Sequence, residues 1–116
     1  MGVILHITTR EQWEQARRLG VYRGDTLESE GFIHCSSVRQ AVPVANALYR
    51  GRSGLVILCI EAGRVEAEIR YEGADRGELY PHIYGPLEIE AVSLVLDFEP
   101  GEDGTFSLPQ KVVSLG

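Results

Sequence analysis

The sequence predicts one small α+β domain, and three local patterns indicate this fold class. The first is the continuous apolar run of residues 55–60, which is typical of a central strand buried on both faces. The second is the alternation of apolar and charged residues over 65–72, which indicates a half-exposed antiparallel strand. The third is a pair of helix-start signals, at Thr9 and Ser37, each followed by apolar residues at helical spacing. We therefore expect two main helices packed on antiparallel or mixed strands.

The chain opens with a strand and then a helix. Residues 3–7 form the expected strand, and residues 10–19 form the expected helix. Thr9 and Gln12 predict a capping box at the helix start, in which each side chain bonds to the other residue's backbone amide. Residues 20–30 lack a clean period and are expected to form a surface loop.

A short strand that carries a histidine leads into the second helix. Residues 31–37 read Gly-Phe-Ile-His-Cys-Ser-Ser. Because successive side chains of a strand point to opposite faces, His34 and Ser36 share one face with Phe32, and the small apolar residues take the other. We expect the face with His34 to line a polar groove. The alternative is a core histidine that bonds to a backbone carbonyl.

The second helix is predicted to start beside His34, at a capping box made by Ser37 and Gln40. Free amides at a helix start are a natural seat for phosphate or carboxylate. Ser36 and Ser37 are therefore candidates for binding an anionic group. Pro43 removes one helical hydrogen bond, so a kink or a separately formed first turn is expected there.

Histidine and tyrosine crowd together again in residues 80–87, Tyr-Pro-His-Ile-Tyr-Gly-Pro-Leu. His82 and Tyr84 share a face if this segment is extended. Glu72 ends the alternating strand just before it and is the preferred candidate carboxylate, with a solvated surface acid as the alternative. Residues 62–63 are the expected hairpin turn between the central strand and the alternating strand.

The last long strand is predicted over residues 89–98. Glu90 lies on a face that is otherwise apolar, which makes it a second candidate carboxylate, although an acid at a strand end can simply reach solvent. Beyond residue 100 the chain is rich in glycine, glutamate and proline. We expect a loosely ordered tail there, with 106–108 and 112–113 as short edge segments.

The composition indicates one globular domain over residues 1–116. Hydrophobic residues make up 44% and charged residues 24%, which disfavours disorder. No apolar run approaches the roughly twenty residues that cross a bilayer, and the N-terminus lacks a signal-peptide pattern, so a cytoplasmic protein without a membrane partner is expected. Cys35 and Cys59 lie in apolar strand-like runs and are predicted to be buried free thiols.

The charge distribution disfavours nucleic acid as a partner. The net charge is −6, and no basic cluster matches the footprint of a nucleic-acid-binding domain. All basic residues except Lys111 are arginine, which forms a better fork for phosphate or carboxylate than lysine does. An arginine-rich composition also follows from genomic base composition alone.

Several segments resemble the small bacterial family known as domain of unknown function 952. They are residues 31–37, residues 46–51 with the sequence Asn-Ala-Leu-Tyr-Arg-Gly, Glu72, and residues 81–87. The resemblance covers nearly the whole chain. That family is grouped with the ADP-ribosyltransferase-like superfamily. The resemblance therefore implies a split sheet around a cleft for a nicotinamide dinucleotide, with NAD as the cofactor.

The motifs of that superfamily match this chain in part. His6 and the two residues after it are similar to a His-Gly-Thr first motif, but the glycine is absent. Phe32 with the pair Ser36 and Ser37 resembles the second motif. The acidic third motif resembles the segment that ends at Glu90. The resemblance implies that these residues bind the ligand.

Two functions from different classes are consistent with these residues. In the first, the chain is an NAD- or nucleotide-using transferase or hydrolase. Glu72 or Glu90 steadies ribose hydroxyls or an oxocarbenium-like centre, while His34 or His82, near Tyr84, holds pyrophosphate or transfers a proton. In the second, the cleft binds a nucleotide or an anionic metabolite without catalysis. A mononuclear metal site made by the two histidines and Glu72 is a third hypothesis, which no short His-x-x-x-His spacing supports.

Overall fold

The computed structural model describes residues 2–73 and 77–114. The strands of this part are β1 Val3–Thr9, β2 Val21–Tyr22, β3 Ile33–His34, β4 Leu55–Glu61, β5 Glu68–Glu72, β6 Tyr80–Tyr84, β7 Leu87–Glu88 and β8 Val92–Phe98. The helices are α1 Arg10–Leu19, α2 Thr26–Glu30, α3 Ala41–Leu48 and α4 Gln110–Val113. Two 3₁₀ turns, Ala62–Arg64 and Ile89–Ala91, precede β5 and β8.

The strands form three antiparallel sheets. In the first, β4 lies between β1 and β8; in the second, β6 lies between β3 and β5; the third pairs β2 with β7. An isolated bridge between Leu5 and Ser36 joins the first sheet to the chain that leaves β3, with N···O distances of 2.7 and 2.8 Å. The predicted α+β class is confirmed. Every strand pair in the described residues is antiparallel, so the sheet is not mixed.

The predicted central strand is the core of the molecule. Residues 55–60 of β4 are each at most 1% exposed. One face of β4 packs in a cluster with Trp13 of α1 and Ile83 of β6, and the other packs with Ala41 and Ala45 of α3. Strands buried on both faces are continuous apolar runs because neither side meets water. The free thiols of Cys35 and Cys59 are both buried, as predicted.

The first helix begins and ends where its sequence signals predict. Thr9 Oγ1 accepts a 3.1 Å hydrogen bond from the amide of Gln12, and the chain leaves α1 at Gly20 with φ of 86°, a left-handed conformation that glycine adopts without strain. The Gln12 side chain does not return to the Thr9 amide. It bonds to Thr8 and Asp25, so the predicted capping box is formed only in one direction.

Several predicted elements differ from the structure, and the alternating strand begins at Glu68 and not at residue 65. Residues 20–30 contain β2 and α2 in place of a loop. Residues 62–63 do not form a hairpin turn, because both edges of β4 already pair with β1 and β8, so the 3₁₀ turn carries the chain to the second sheet. The last strand begins at Val92 and not at residue 89, since residues 89–91 form the other 3₁₀ turn.

The segment after residue 100 packs against the first sheet and does not add edge strands. The Phe106 ring stacks on Phe98 at 4.6 Å, and its amide donates to Oδ1 of Asn46 in α3 at 2.8 Å. Val112, in α4, is fully buried. No helix among residues 2–73 and 77–114 is long and apolar enough to cross a membrane.

Candidate functional site

A cleft of about 690 Å³ opens beside the junction of β1 with the second sheet. Residues of β1 and the bridge residue Ser36 form part of its lining, and α3 forms an apolar wall. His34 and His82, directly opposite each other in β3 and β6, line it from the second sheet together with Glu72 at the end of β5. The cleft therefore lies where residues from distant parts of the chain meet.

A hydrogen-bonded chain centred on His6 runs through one part of the cleft. His6 Nδ1 lies 2.5 Å from the carbonyl oxygen of His34, and Nε2 lies 2.7 Å from the Tyr22 hydroxyl. The Tyr22 hydroxyl is also 3.0 Å from Thr8 Oγ1. The Thr8 hydroxyl donates to Oε1 of Gln12 at 2.7 Å, and the Gln12 amide nitrogen donates to Asp25 Oδ1 at 2.5 Å.

The partners of His6 fix its tautomer. A carbonyl oxygen only accepts hydrogen bonds, so Nδ1 carries the ring proton. In a neutral imidazole Nε2 is then an acceptor, and the single Tyr22 proton is shared between Nε2 and Thr8 Oγ1, because the Thr8 proton is donated to Gln12. Burial lowers the pKa of His6 to about 4, against the opposing effect of the bond to the His34 carbonyl. His6 is therefore neutral near pH 7.

A second cluster is built on a single carboxylate oxygen. Glu72 Oε1 accepts from the Tyr84 hydroxyl at 2.6 Å and from Nδ1 of His82 at 2.9 Å. Both donors sit on β6 and share one face of the second sheet, as the alternation of residues 80–84 predicts. Within the described residues, His82 makes this one side-chain hydrogen bond, so its Nε2 is available to a molecule in the cleft.

The two donors keep the Glu72 carboxyl group ionised. The hydrogen bond from Tyr84, and next the one from His82, lowers the pKa of Glu72. The same bond raises the pKa of Tyr84, because the phenolic proton is held by the carboxylate. The result is an anion beside a histidine ring whose orientation it fixes, an arrangement that recurs in sites where histidine transfers protons.

Aromatic contacts hold the His82 ring from the side. Phe32 stacks on it with a centroid distance of 4.2 Å and an interplanar angle of 21°. The His34 ring meets it edge-on at 5.2 Å, and His34 Nε2 lies 3.0 Å from Oε1 of Glu30. Arg70 covers the Tyr84 ring at 4.4 Å. Packing and hydrogen bonding together hold the His82 ring in place.

The structure brings together most of the residues that the sequence predicted for the site. Those that line the cleft are His6, His34, Ser36, Glu72 and His82. His34 is solvent-accessible, so it is not the core histidine of the alternative interpretation. Tyr84 does not line the cleft and reaches it only through Glu72.

Ser37 lies outside the cleft, and its capping box is complete. The Ser37 amide donates to Oε1 of Gln40 at 2.9 Å, and the Gln40 amide donates to Ser37 Oγ at 3.2 Å. The side-chain amide of Gln40 also donates to Leu79 and Glu78, just before β6. The box precedes α3, which begins at residue 41, so Pro43 falls in the first turn, where its missing amide breaks no helical bond. The predicted anion seat beside His34 is therefore filled by the protein's own side chains.

Glu90 also lies outside the cleft. It is an exposed residue of the second 3₁₀ turn, and its carbonyl oxygen accepts from Arg64. The turn removes it from the strand alternation on which its prediction depended. No three histidine, cysteine, aspartate or glutamate side chains in the described part of the chain come together as a metal-binding group. The structure thus gives no support to the metal hypothesis for His34, His82 and Glu72.

Sequence reasoning missed several polar residues of the cleft. Thr8, Gln12, Asp25 and Arg52 line it. Thr8 was included only as the last residue of the segment after His6 that resembles the first motif, Gln12 was interpreted only as part of a helix start, and the others were interpreted as parts of loops. The signal that was available for Thr8 is its place two residues after His6 on one strand, which puts both side chains on the same face.

Comparison with known proteins identifies the family. The family described as "Protein of unknown function (DUF952)" matches residues 7–95. The chain belongs to this family. The matched range includes Tyr22, His34, Glu72 and His82 and begins one residue after His6. No curated protein matches the DUF952 chain.

Solved structures of protein CC0527 from Caulobacter crescentus are similar to the DUF952 chain. Its crystal structure is 30% identical with a TM-score of 0.87, covering 96% of this chain and 98% of that one. The crystal structure of a double mutant of CC0527 gives the same values. A solution NMR structure of CC0527 is 33% identical with a TM-score of 0.78, covering 100% and 98%. The fold is thus shared over nearly the full length of both chains.

Proposed function

We propose that this DUF952 chain binds a nicotinamide dinucleotide or a related nucleotide in the cleft and acts on it as a transferase or hydrolase of the ADP-ribosyltransferase-like superfamily. The observation that carries the proposal is the pairing of Glu72 with His82, an ionised carboxylate that orients an imidazole at the wall of a cleft. The buried free thiols fit a reducing cytoplasmic compartment.

The size of the cleft supports a ligand of this class. Sites for small molecules and cofactors have volumes of roughly 300–1,000 Å³ and are mostly apolar, with a few polar groups that fix orientation. The cleft of about 690 Å³ has this character, with an apolar wall from α3 and polar groups concentrated on β1 and the second sheet.

The charge of Glu72 suits cleavage of an N-glycosidic bond. As the bond between ribose C1′ and the nicotinamide nitrogen breaks, its electron pair goes to the ring, and positive charge develops on the ribose. A fixed carboxylate stabilises such an oxocarbenium-like centre. The His82 Nε2 then accepts the proton of the attacking water or acceptor hydroxyl while the new C1′–O bond forms.

In this function Tyr84 is a positioning residue. Its hydroxyl bonds to the same Glu72 oxygen as His82 does, which leaves the second carboxylate oxygen to face the ligand. His6 is a second positioning residue, because both of its ring nitrogens are already bonded and its contact with the His34 carbonyl holds β3 against β1.

The test combines calorimetric titration with NAD, ADP-ribose, AMP and inorganic phosphate with an assay of nicotinamide release from NAD. We expect saturable binding of NAD and ADP-ribose and slow release of nicotinamide. Glu72→Gln should lower the release rate by ~10²-fold or more while dinucleotide affinity stays within a few-fold. The control is Glu90→Gln, which removes an exposed carboxylate remote from the cleft and should change neither quantity.

Two outcomes would count against the proposal. If neither NAD nor ADP-ribose binds, the nucleotide function is wrong. If they bind but no nicotinamide is released, and Glu72→Gln leaves their affinity unchanged, the chain is the non-catalytic binding module of the alternative hypothesis.

A further inference from the structure

We infer that Arg52 forms an oxyanion subsite at the end of the cleft next to α3 and binds a phosphate group of the ligand there. The inference deepens the proposed function and rests on it, because it names the group by which the nucleotide is held and the direction in which it lies. It concerns a residue that no sequence motif nominated.

Arg52 supplies the positive charge of the cleft. It is the one lysine or arginine side chain among the described residues that line this space, in a chain whose net charge is −6. No ion pair found within the described ranges involves Arg52. By contrast, Arg10, which follows β1, is paired with Asp97. The Arg52 guanidinium group therefore keeps its full capacity to bind an oxyanion.

Backbone hydrogen bonds hold the turn that contains Arg52. Its amide donates to the Tyr49 carbonyl at 2.9 Å, and the Gly51 amide donates to the Gly104 carbonyl at 2.8 Å. Gly51 has φ of 78°, in the left-handed region where side chains are disfavoured. The Arg52 guanidinium lies 5.7 Å from the centre of the Tyr49 ring, within the range of a cation–π contact. This turn holds the cation at the cleft.

The surroundings favour a phosphate ester over free phosphate. The wall next to Arg52 is apolar, with Pro43, Val44 and Leu48 of α3 lining the cleft. Such a wall gives binding area to the ring or ribose attached to a phosphate. Inorganic phosphate has the charge but gains nothing from the wall.

Glu72 lies in another part of the cleft from Arg52 and sets the direction of the ligand. Leu55, three residues after Arg52, pairs with Thr9 on β1. Glu72 bonds to His82, which pairs with His34 in β3, and the carbonyl of His34 bonds to His6. Thr9 and His6 are three residues apart on β1, a distance of about 10 Å. A phosphate at Arg52 thus lies away from Glu72, and the uncharged or cationic end of the ligand faces the carboxylate.

The experiment is a calorimetric titration with AMP, adenosine and inorganic phosphate at low and at physiological salt. We expect wild-type protein to bind AMP about tenfold more tightly than adenosine, since a charge-assisted hydrogen bond contributes roughly this factor. Inorganic phosphate should bind more weakly than AMP. Arg52→Ala should bring AMP affinity down to that of adenosine and leave adenosine affinity unchanged, and Arg52→Lys should restore part of the loss.

The control is Arg23→Ala, which removes an exposed cation next to Tyr22 that does not line the cleft. It should lower AMP affinity less than twofold. Equal affinity of the wild type for AMP and adenosine, or no effect of Arg52→Ala on AMP, overturns the subsite even if nicotinamide release depends on Glu72. If AMP and adenosine both fail to bind, the subsite is overturned too. The nicotinamide-release assay then decides the fate of the proposed function separately.

Discussion

His6 and His82 line the same cleft in opposite hydrogen-bond environments. His6 uses both ring nitrogens within the protein, one to a carbonyl and one to the Tyr22 hydroxyl. Within the described residues His82 uses only Nδ1, and its partner is a carboxylate. Both arrangements fix a ring, but only the second leaves a nitrogen for a ligand. In the proposed function, His6 therefore has a structural role and His82 a chemical one.

The difference arises from the position of the carboxylates. Asp25 reaches His6 only through Gln12, Thr8 and Tyr22, so no negative charge contacts the His6 ring and burial dominates its pKa. Glu72 contacts the His82 ring directly and stays ionised. The imidazole of His6 is therefore suited to a neutral hydrogen-bonded position, and that of His82 is suited to proton transfer.

Of the effects that test this comparison, the largest is a dependence of the free energy of unfolding on pH, which is caused by His6. Its pKa is about 4 in the native chain and about 6.5 when unfolded, so the unfolded chain binds more protons between these values. The free energy of unfolding therefore rises with pH across this window. The stabilisation is complete above pH 6.5 and is lost as the pH falls to about 4. We expect about 3 kcal/mol from this source, measured by urea unfolding at several pH values.

The control for that experiment is His6→Gln, which keeps a hydrogen-bonding side chain but removes the titration. The slope of stability against pH between 4 and 6.5 should flatten by close to one proton. Carboxylates such as Glu72 also lose stabilisation on acidification, but through their lowered pKa values and so at lower pH. An unchanged slope in the variant would contradict the neutral state of His6.

A smaller effect is expected from removing the two tyrosine hydroxyls that flank the histidines. Tyr22→Phe leaves His6 Nε2 without its partner in a buried setting and should lower the free energy of unfolding by about 1–2 kcal/mol. Tyr84→Phe frees a Glu72 oxygen that water can solvate, so it should lower the free energy of unfolding less than Tyr22→Phe does. Thermal and urea unfolding compare the two. A larger loss from Tyr84→Phe would reverse the assignment of the two regions.

The local parts of the fold were predictable because short-range signals determine them. The apolar run of 55–60 identified the central strand, and Thr9 and Gly20 marked the limits of α1. The absence of a hairpin after β4 was not predictable in this way, because it depends on which strands already occupy the edges of β4. Those partners, β1 and β8, come from the two ends of the chain.

The candidate site, like the fold, was predictable only where short-range signals determine it. Strand alternation predicted the faces of His34 and His82, and Glu72 was chosen because it ends a strand just before His82. The structure brings the three together, since β3, β6 and β5 are neighbours. Strand alternation missed the contact between His6 and Tyr22, which lie 16 residues apart and meet only through tertiary packing. It also misplaced Glu90, because a 3₁₀ turn interrupts the strand on which the alternation was counted.

The most direct test of the two histidine roles is NMR of the ring nitrogens of the three histidines in ¹⁵N-labelled protein, titrated with ADP-ribose. Before titration, His6 and His82 should both appear as the tautomer protonated at Nδ1. On titration the account predicts a saturable shift of the His82 Nε2 signal, while the His6 signals stay in place. A shift confined to His6, with His82 unaffected, would contradict the assignment of His82 as the histidine that faces the ligand.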